Sequence, residues 1–212
     1  DATANLWVGA NGGGLRRVHR QALRNLTTAD GLPSDDVVSL LEERPDRVWV
    51  GAYRGGAVCW NGERFEHLAG LPGPGAIVYS LALDHDRSVL LGTPESQLWR
   101  WREGSPPEVR NLPSEGSRVI LRDRSGALWL GSKYGGVIRE RDGVTHRFST
   151  TNGLAHGYVT ALAETSDGAL WVGTKAGLHR IIGDTVSGET DGSPDALLRA
   201  LHRDRRNRIV VG

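Results

Sequence analysis

A short motif returns along this chain at nearly constant spacing, and that period restricts the fold more than any other feature of the sequence. Trp-Val-Gly stands at Trp7, Trp49 and Trp171, Trp-Leu-Gly at Trp129, and degraded copies at Leu90-Leu91-Gly92 and Val210-Val211-Gly212, about 40 residues apart each time. Other positions keep the same phase. Gly9, Gly51, Gly92, Gly131 and Gly173 follow their anchors by two residues, and Glu43, Asp84, Asp123, Thr165 and Asp204 precede theirs by six. A Gly-apolar-x-Arg pattern comes after the anchor and places Arg17, Arg100, Arg139 and Arg180 in one phase, with Cys59 as the exception. Upstream, Gly31-Leu32-Pro33, Gly70-Leu71-Pro72, Asn111-Leu112-Pro113, Gly153-Leu154-Ala155 and the weaker Gly192-Ser193-Pro194 mark a recurring loop.

Within a unit, turn signals separate four short apolar runs. In the second unit these are Val37 to Glu42, Arg47 to Ala52, Gly56 to Trp60 and Arg64 to Leu68, joined through Arg44-Pro45-Asp46 and through Asn61-Gly62, a tight-hairpin signal. Four antiparallel strands repeated every ~40 residues define an all-β chain of β-propeller blades. Helical solenoids of similar period need long stretches of 3.6-residue periodicity, and no unit offers one. The reading divides the chain into a partial blade over 1–27, blades over about 36–69, 76–112, 117–149 and 157–187, and a partial blade over 196–212. The opening unit supplies second, third and fourth strands and the last supplies first and second. We therefore expect a piece of a larger propeller rather than a closed five-bladed ring.

The blade assigns physical roles to the phased residues. Each Trp is an apolar plate between blades whose indole N–H needs a fixed acceptor, and the following Gly lets backbones approach closely. The phased acid and phased Arg are expected to pair with each other as a link repeated in each blade. Repetition argues against catalysis for any of them, because a catalytic group is needed once.

Composition narrows the function classes. With 212 residues, 24% charged residues and a formal net charge of +1, the chain can bury a core and advertises no nucleic-acid surface. The 29 glycines and seven tryptophans, against two phenylalanines and no methionine, are what a Trp-x-Gly strand and its turns require. A single cysteine, Cys59, excludes an internal disulfide and Cys-rich zinc motifs, and its phase predicts a buried small residue. No apolar run approaches the 18 residues of a membrane span. Neither a cofactor nor a metal is expected.

With Gly-Leu-Pro-Ser-Asp-Asp at 31–36, Arg47-Val48-Trp49-Val50-Gly51 and Gly55-Gly56, the units resemble the two-component regulator propeller repeat. Close matches also stand at Ser125 to Ser132 and at Asp167 to Thr174, whereas the unit around Leu90 lacks the Trp and has Pro94-Glu95-Ser96 in place of the Gly-rich turn. The resemblance implies a seven-bladed propeller on the periplasmic or extracellular side of a membrane-anchored bacterial receptor, a hybrid histidine kinase or diguanylate cyclase. It further implies partners in the remaining blades and signalling domains of a longer chain, and responses to poly- or oligosaccharide breakdown products.

Propeller ligands generally sit at the channel mouth, on the loops between second and third strands and on those linking blades. Here those loops vary from unit to unit, as an asymmetric ligand requires. Tyr53 and Tyr134 offer flat faces for a sugar ring, Arg54, Lys133 and Lys175 suit a carboxylate or sulfate, and Asn11, His156 and Tyr158 complete the candidate binding set. Asp35-Asp36 reads as a turn rather than a catalytic pair. Of the seven histidines only His156 is assigned to this face, so no convergent acid-base or metal cluster is expected and no catalytic residue is named. A non-catalytic sensor of a small molecule or glycan is the leading reading. A channel-mouth lyase or hydrolase and a protein-docking or homodimerising scaffold are the alternatives.

Overall fold

Most runs of strand-forming residues stop at a glycine, proline or Asx turn, so the chain crosses back on itself continually, and among the described residues each strand pairs only with its sequence neighbours. The computed structural model describes residues 6–19, 22–113, 116–189 and 198–212. Gly192-Ser193-Pro194 and the first two residues of the partial blade over 196–212 lie outside the described residues. Two compact units, Asp1–Asn111 and Leu112–Gly212, divide the chain.

The first unit contains three antiparallel sheets in sequence order. One comprises β1 (Leu6–Ala10), β2 (Gly14–His19) and β3 (Ala22–Leu26). The next comprises β4 (Val37–Arg44), β5 (Arg47–Ala52), β6 (Gly56–Trp60) and β7 (Phe65–Glu66). The third comprises β8 (Ser80–Leu83), β9 (Val89–Gly92), β10 (Gln97–Trp101) and β11 (Glu108–Asn111). In the second unit, β12 (Val119–Arg122), β13 (Leu128–Gly131), β14 (Val137–Arg141) and β15 (Val144–Phe148) form one sheet. β16 (Val159–Glu164), β17 (Leu170–Thr174), β18 (Gly177–Ile182) and β19 (Thr185–Glu189) form another, and β20 (Leu201–Arg203) pairs with β21 (Ile209–Val211). These are propeller blades. The expected fourth strand from Arg64 to Leu68 contracts to β7, because Trp60 pairs with Phe65 and Asn61 to Arg64 form a four-residue connection instead of a two-residue hairpin. There the Asn61 side chain accepts the N–H groups of Glu63 and Arg64.

Burial grades across each blade and explains why the motif is written in the second strand. β9 and β13 are buried at every position, whereas every residue of β11 is exposed. A second strand such as β9 or β13 is covered on both faces, so both of its residue sets must be apolar or small, while β1 stays largely exposed. The cores accordingly lie between sheets. Leu15 and Leu26 pack with Val48, Val50, Val58 and Trp60, and Trp49 and Cys59 pack with Val78, Leu91 and Trp101. In the second unit, Trp129 and Phe148 pack with Val159, Leu170 and Val172.

The phased acid and Arg do not pair as expected; the Trp stands between them. Three of the four phased Trp are directly opposite a phased Arg across the second and third strands, Trp7 with Arg17, Trp129 with Arg139 and Trp171 with Arg180, while Trp49 is opposite Cys59. The guanidinium lies over the indole at 5.5, 5.5 and 5.7 Å respectively, a cation–π arrangement. The acid takes the indole N–H instead. Trp49 Nε1 donates to Glu43 at 2.7 Å, Trp129 Nε1 to Asp123 at 2.7 Å and Trp171 Nε1 to the Thr165 hydroxyl at 3.1 Å. Where Leu90 replaces the Trp, Arg100 reaches Asp84 directly at 3.5 Å. Burial pushes the Asp123 carboxyl up, but hydrogen bonds from the Trp129 indole, the Ser125 hydroxyl and the Ala127 N–H outweigh it and hold the group below its ordinary value.

Candidate functional site

The loops between second and third strands do not stand free. Several are hydrogen-bonded to the loops that lead into their own blade and into the next. In the first unit, Tyr53 N–H donates to Asp36 O (2.8 Å), Val78 N–H to Ala52 O (3.2 Å) and Gly75 N–H to Arg54 O (2.9 Å). The second unit repeats the pattern through Val159 N–H to Ser132 O (2.9 Å), Gly136 N–H to Gly157 O (3.0 Å) and Lys175 N–H to Tyr158 O (3.1 Å). Satisfying loop backbone groups in this way fixes where the variable side chains point.

The first unit presents Asn11, exposed in the turn before β2, and the Tyr53-Arg54 pair. Arg54 lies over the Tyr53 ring at 5.6 Å and occupies a left-handed backbone conformation (φ 57°). Asp35 accepts the Thr28 N–H at 2.9 Å, so it serves as a turn residue. Cys59 is fully buried, and burial pushes its thiol up to about 11.

Lys133 and Tyr134 form a second cation–aromatic pair in the second unit, with Nζ 4.9 Å from the ring centroid, and Tyr134 is 64% exposed. Both flat rings named from the sequence thus carry a cation of their own. His156 is exposed, and its Nδ1 accepts the Tyr158 N–H at 2.8 Å, bracing the same loop. A further brace comes from His179, which is buried in β18 and whose Nε2 accepts the Ala155 N–H at 2.9 Å. Burial lowers the His179 pKa and keeps the imidazole neutral, as an accepting nitrogen requires. Among the described residues no three His, Cys, Asp or Glu side chains converge as metal ligands.

Tyr158 and Lys175 are brought together. Lys175 Nζ lies 4.2 Å from the Tyr158 ring centroid and the Arg118 guanidinium 4.8 Å from it. With Thr160 and Arg199 these residues line a cleft of about 150 Å³. Asn11, Tyr53, Arg54, Lys133, Tyr134 and His156 are not among its lining residues.

Arg118, Thr160 and Arg199 escaped the sequence reading, yet they carry a signal in the repeat. Each stands eleven residues before its anchor, at Trp129, Trp171 and Val210, in the column filled by Val38 and Tyr79 in the first unit. In the units anchored at Trp49 and Trp171 that column is where the first strand slips register. Val159 pairs with Thr174 but Ala161 with Gly173, leaving Thr160 as the extra residue of a bulge, and Val38 is skipped likewise between Val37 and Ser39. Bulges re-aim side chains, and this one turns the column out of the blade core. Arg118 N–H and Arg199 N–H each donate to the anchor glycine carbonyl, Gly131 or Gly212, at 2.8 Å.

Residues 153–176 match the two component regulator propeller family. No curated protein matches the sequence. In fold the chain is similar to the extracellular domain of the hybrid two component system BT3049 from B. thetaiotaomicron, with a TM-score of 0.82 and 18% identity over 100% of this chain and 31% of that one. It is also similar to the extracellular domain of BT4673 from the same organism, with a TM-score of 0.76 and 18% identity over 98% of this chain and 30% of that one. Virginiamycin B lyase from Staphylococcus aureus shares the fold at a TM-score of 0.75 and 14% identity, over 100% of this chain and 81% of the lyase. This chain therefore spans less than a third of the length of the two receptor domains. The two component regulator propeller match thus covers one repeat, and the other blades keep its phase.

Proposed function

We propose that this chain is a non-catalytic ligand-binding part of an extracytoplasmic signalling receptor, and that its loops hold a small molecule or oligosaccharide. The observation that carries this reading is the contrast between a frame that repeats and loops that do not. Trp, Gly and acid recur from blade to blade, while the connected loops present Tyr53-Arg54, Lys133-Tyr134 and Tyr158-Lys175 as distinct cation–aromatic pairs. Pairs of this kind offer hydrogen-bond donors beside an apolar plate, which suits sugar rings and their substituents. Further blades and signalling domains of a longer parent are its partners in this reading, on the outer side of a membrane. No helix among the described residues is long and apolar enough to cross one.

Equilibrium binding to an oligosaccharide panel tests the proposal. Binding weakened by Tyr134→Ala or Lys133→Ala supports it, and a folded protein that binds no member of the panel overturns it. Likeness to a lyase fold makes turnover the necessary control. Product formation abolished by His156→Ala replaces binding with catalysis, and concentration-dependent self-association without small-molecule binding favours a dimerising scaffold.

A further inference from the structure

Three side-chain cations line the cleft at Tyr158, and among the described residues no carboxylate lines it. Arg118 and Lys175 are both held against one aromatic ring, and Arg199 enters from the column position that Arg118 occupies two blades earlier. Among the described residues neither Lys175 nor Arg199 pairs with a carboxylate. The Thr160 hydroxyl, between them in the repeat, is buried and has no hydrogen-bond partner. Lys175 and Arg199, held near each other without a carboxylate on either, raise the local potential, and a buried hydroxyl without a partner is a donor in want of an acceptor. Both conditions are relieved by the same thing, an anion with several acceptor oxygens.

We infer that this cleft is an oxyanion site and that the ligand presents a sulfate or carboxylate group to Lys175, Arg199, Arg118 and Thr160. This rests on the ligand-binding reading above and names its chemical class. At about 150 Å³ the cleft is below the ~300 Å³ of a pocket that engulfs a drug-sized molecule. It accommodates the charged substituent of a small saccharide while the rest of the ligand extends over the neighbouring loops. Tyr158 acts as a positioning residue: its ring holds two cations where the anion is to bind, which lowers the ordering cost on association.

Calorimetric titration of the full chain at constant ionic strength tests this, with inorganic sulfate, glucuronate and glucose as probes. Sulfate and glucuronate are expected to bind more tightly than glucose, and Lys175→Ala and Arg199→Ala to weaken sulfate roughly tenfold each, the effect of a lost charge-assisted hydrogen bond. Preference for sulfate over glucuronate, or the reverse, identifies which oxyanion the ligand carries. Arg205→Ala removes an exposed charge from the turn between β20 and β21 and is expected to leave sulfate binding unchanged. Equal weakening by Arg205→Ala and Lys175→Ala, or sulfate binding no tighter than chloride, overturns the site. If neutral oligosaccharides bind and Lys175→Ala leaves them unaffected, the oxyanion inference fails while the ligand-binding reading stands. If no saccharide binds but sulfate does, the reverse holds.

Discussion

Replacing Gly51 with Ala places a methyl group at the closest approach between two blades. Its carbon would lie 2.5 Å from the Val78 carbonyl oxygen, 3.0 Å from Val78 Cγ1 and closer still to Ser39 Oγ. Ordinary contact begins near 3.4 Å, so the segment at Val78 that leads into the next blade must retreat by about 1 Å and Ser39 must rotate away. Either movement breaks the Ser39 hydroxyl hydrogen bond to the Val78 carbonyl (3.1 Å). Overpacking costs about 1–3 kcal/mol and the lost hydrogen bond about 1 kcal/mol, against a gain of ~0.4–1 kcal/mol from a less flexible unfolded chain. A net loss of about 2–3 kcal/mol is expected. Gly173 holds the same phase, yet a methyl there would meet Thr160 Oγ1 at 3.2 Å and Leu198 Cβ at 3.4 Å, so Gly173→Ala is expected to change stability by less than about 1 kcal/mol. Urea unfolding followed by tryptophan fluorescence measures both, fitted with a separate transition for each unit if the probes do not coincide. Equal losses from the two substitutions would refute the account, since the glycine would then be required for its backbone rather than for the space between blades.

Trp129→Phe keeps most of the plate but removes the indole donor to Asp123, and a loss of about 1–3 kcal/mol is expected in the same unfolding assay, smaller when Asp123→Asn is already present. His179 has a depressed pKa in the fold, so its contribution is fully present above the ordinary value of 6.5 and is lost as pH falls below it. The stability slope in that window reaches at most about 1.4 kcal/mol per pH unit, and His179→Gln, which keeps an acceptor for Ala155, is expected to flatten it. Cys59, buried with its thiol raised to about 11, is expected to resist thiol reagents at pH 8 until denaturant is added; stoichiometric labelling of the native chain would contradict its placement.

The blade frame was legible because its determinants repeat. Four tryptophans in one phase, each followed by glycine at two residues, specify a strand covered on both faces, and β5, β13 and β17 are that strand. Partner choice was not legible. Charge alone pairs Asp123 with Arg139, but cross-strand register sets Arg139 opposite Trp129, and the indole then offers the acid a donor at 2.7 Å. Variable loop residues were equally visible as a set, and Tyr158 and Lys175 do share a cleft. Thr160 was missed because a strand residue is assigned to core or outer face by alternation, which a bulge breaks without leaving a mark in any single unit, and Arg118 and Arg199 because they stand just ahead of β12 and β20, where alternation says nothing. Only the column across units, from Val38 and Tyr79 to three polar side chains, carries the trace.

Lys133 and Lys175 are the two lysines of the chain, every other basic side chain being arginine or histidine, and each caps a tyrosine on a candidate binding loop. Guanidinium groups stay protonated and do not attack activated esters, whereas a lysine amine does. The side-chain amines open to acylation are therefore the two beside Tyr134 and Tyr158. A sensor chip or resin coupled through amines would grip the molecule by those loops and hide the surface under study. A tag placed at a chain end leaves it open, and deliberate acetylation of the two lysines becomes a one-step chemical knockout of the candidate face.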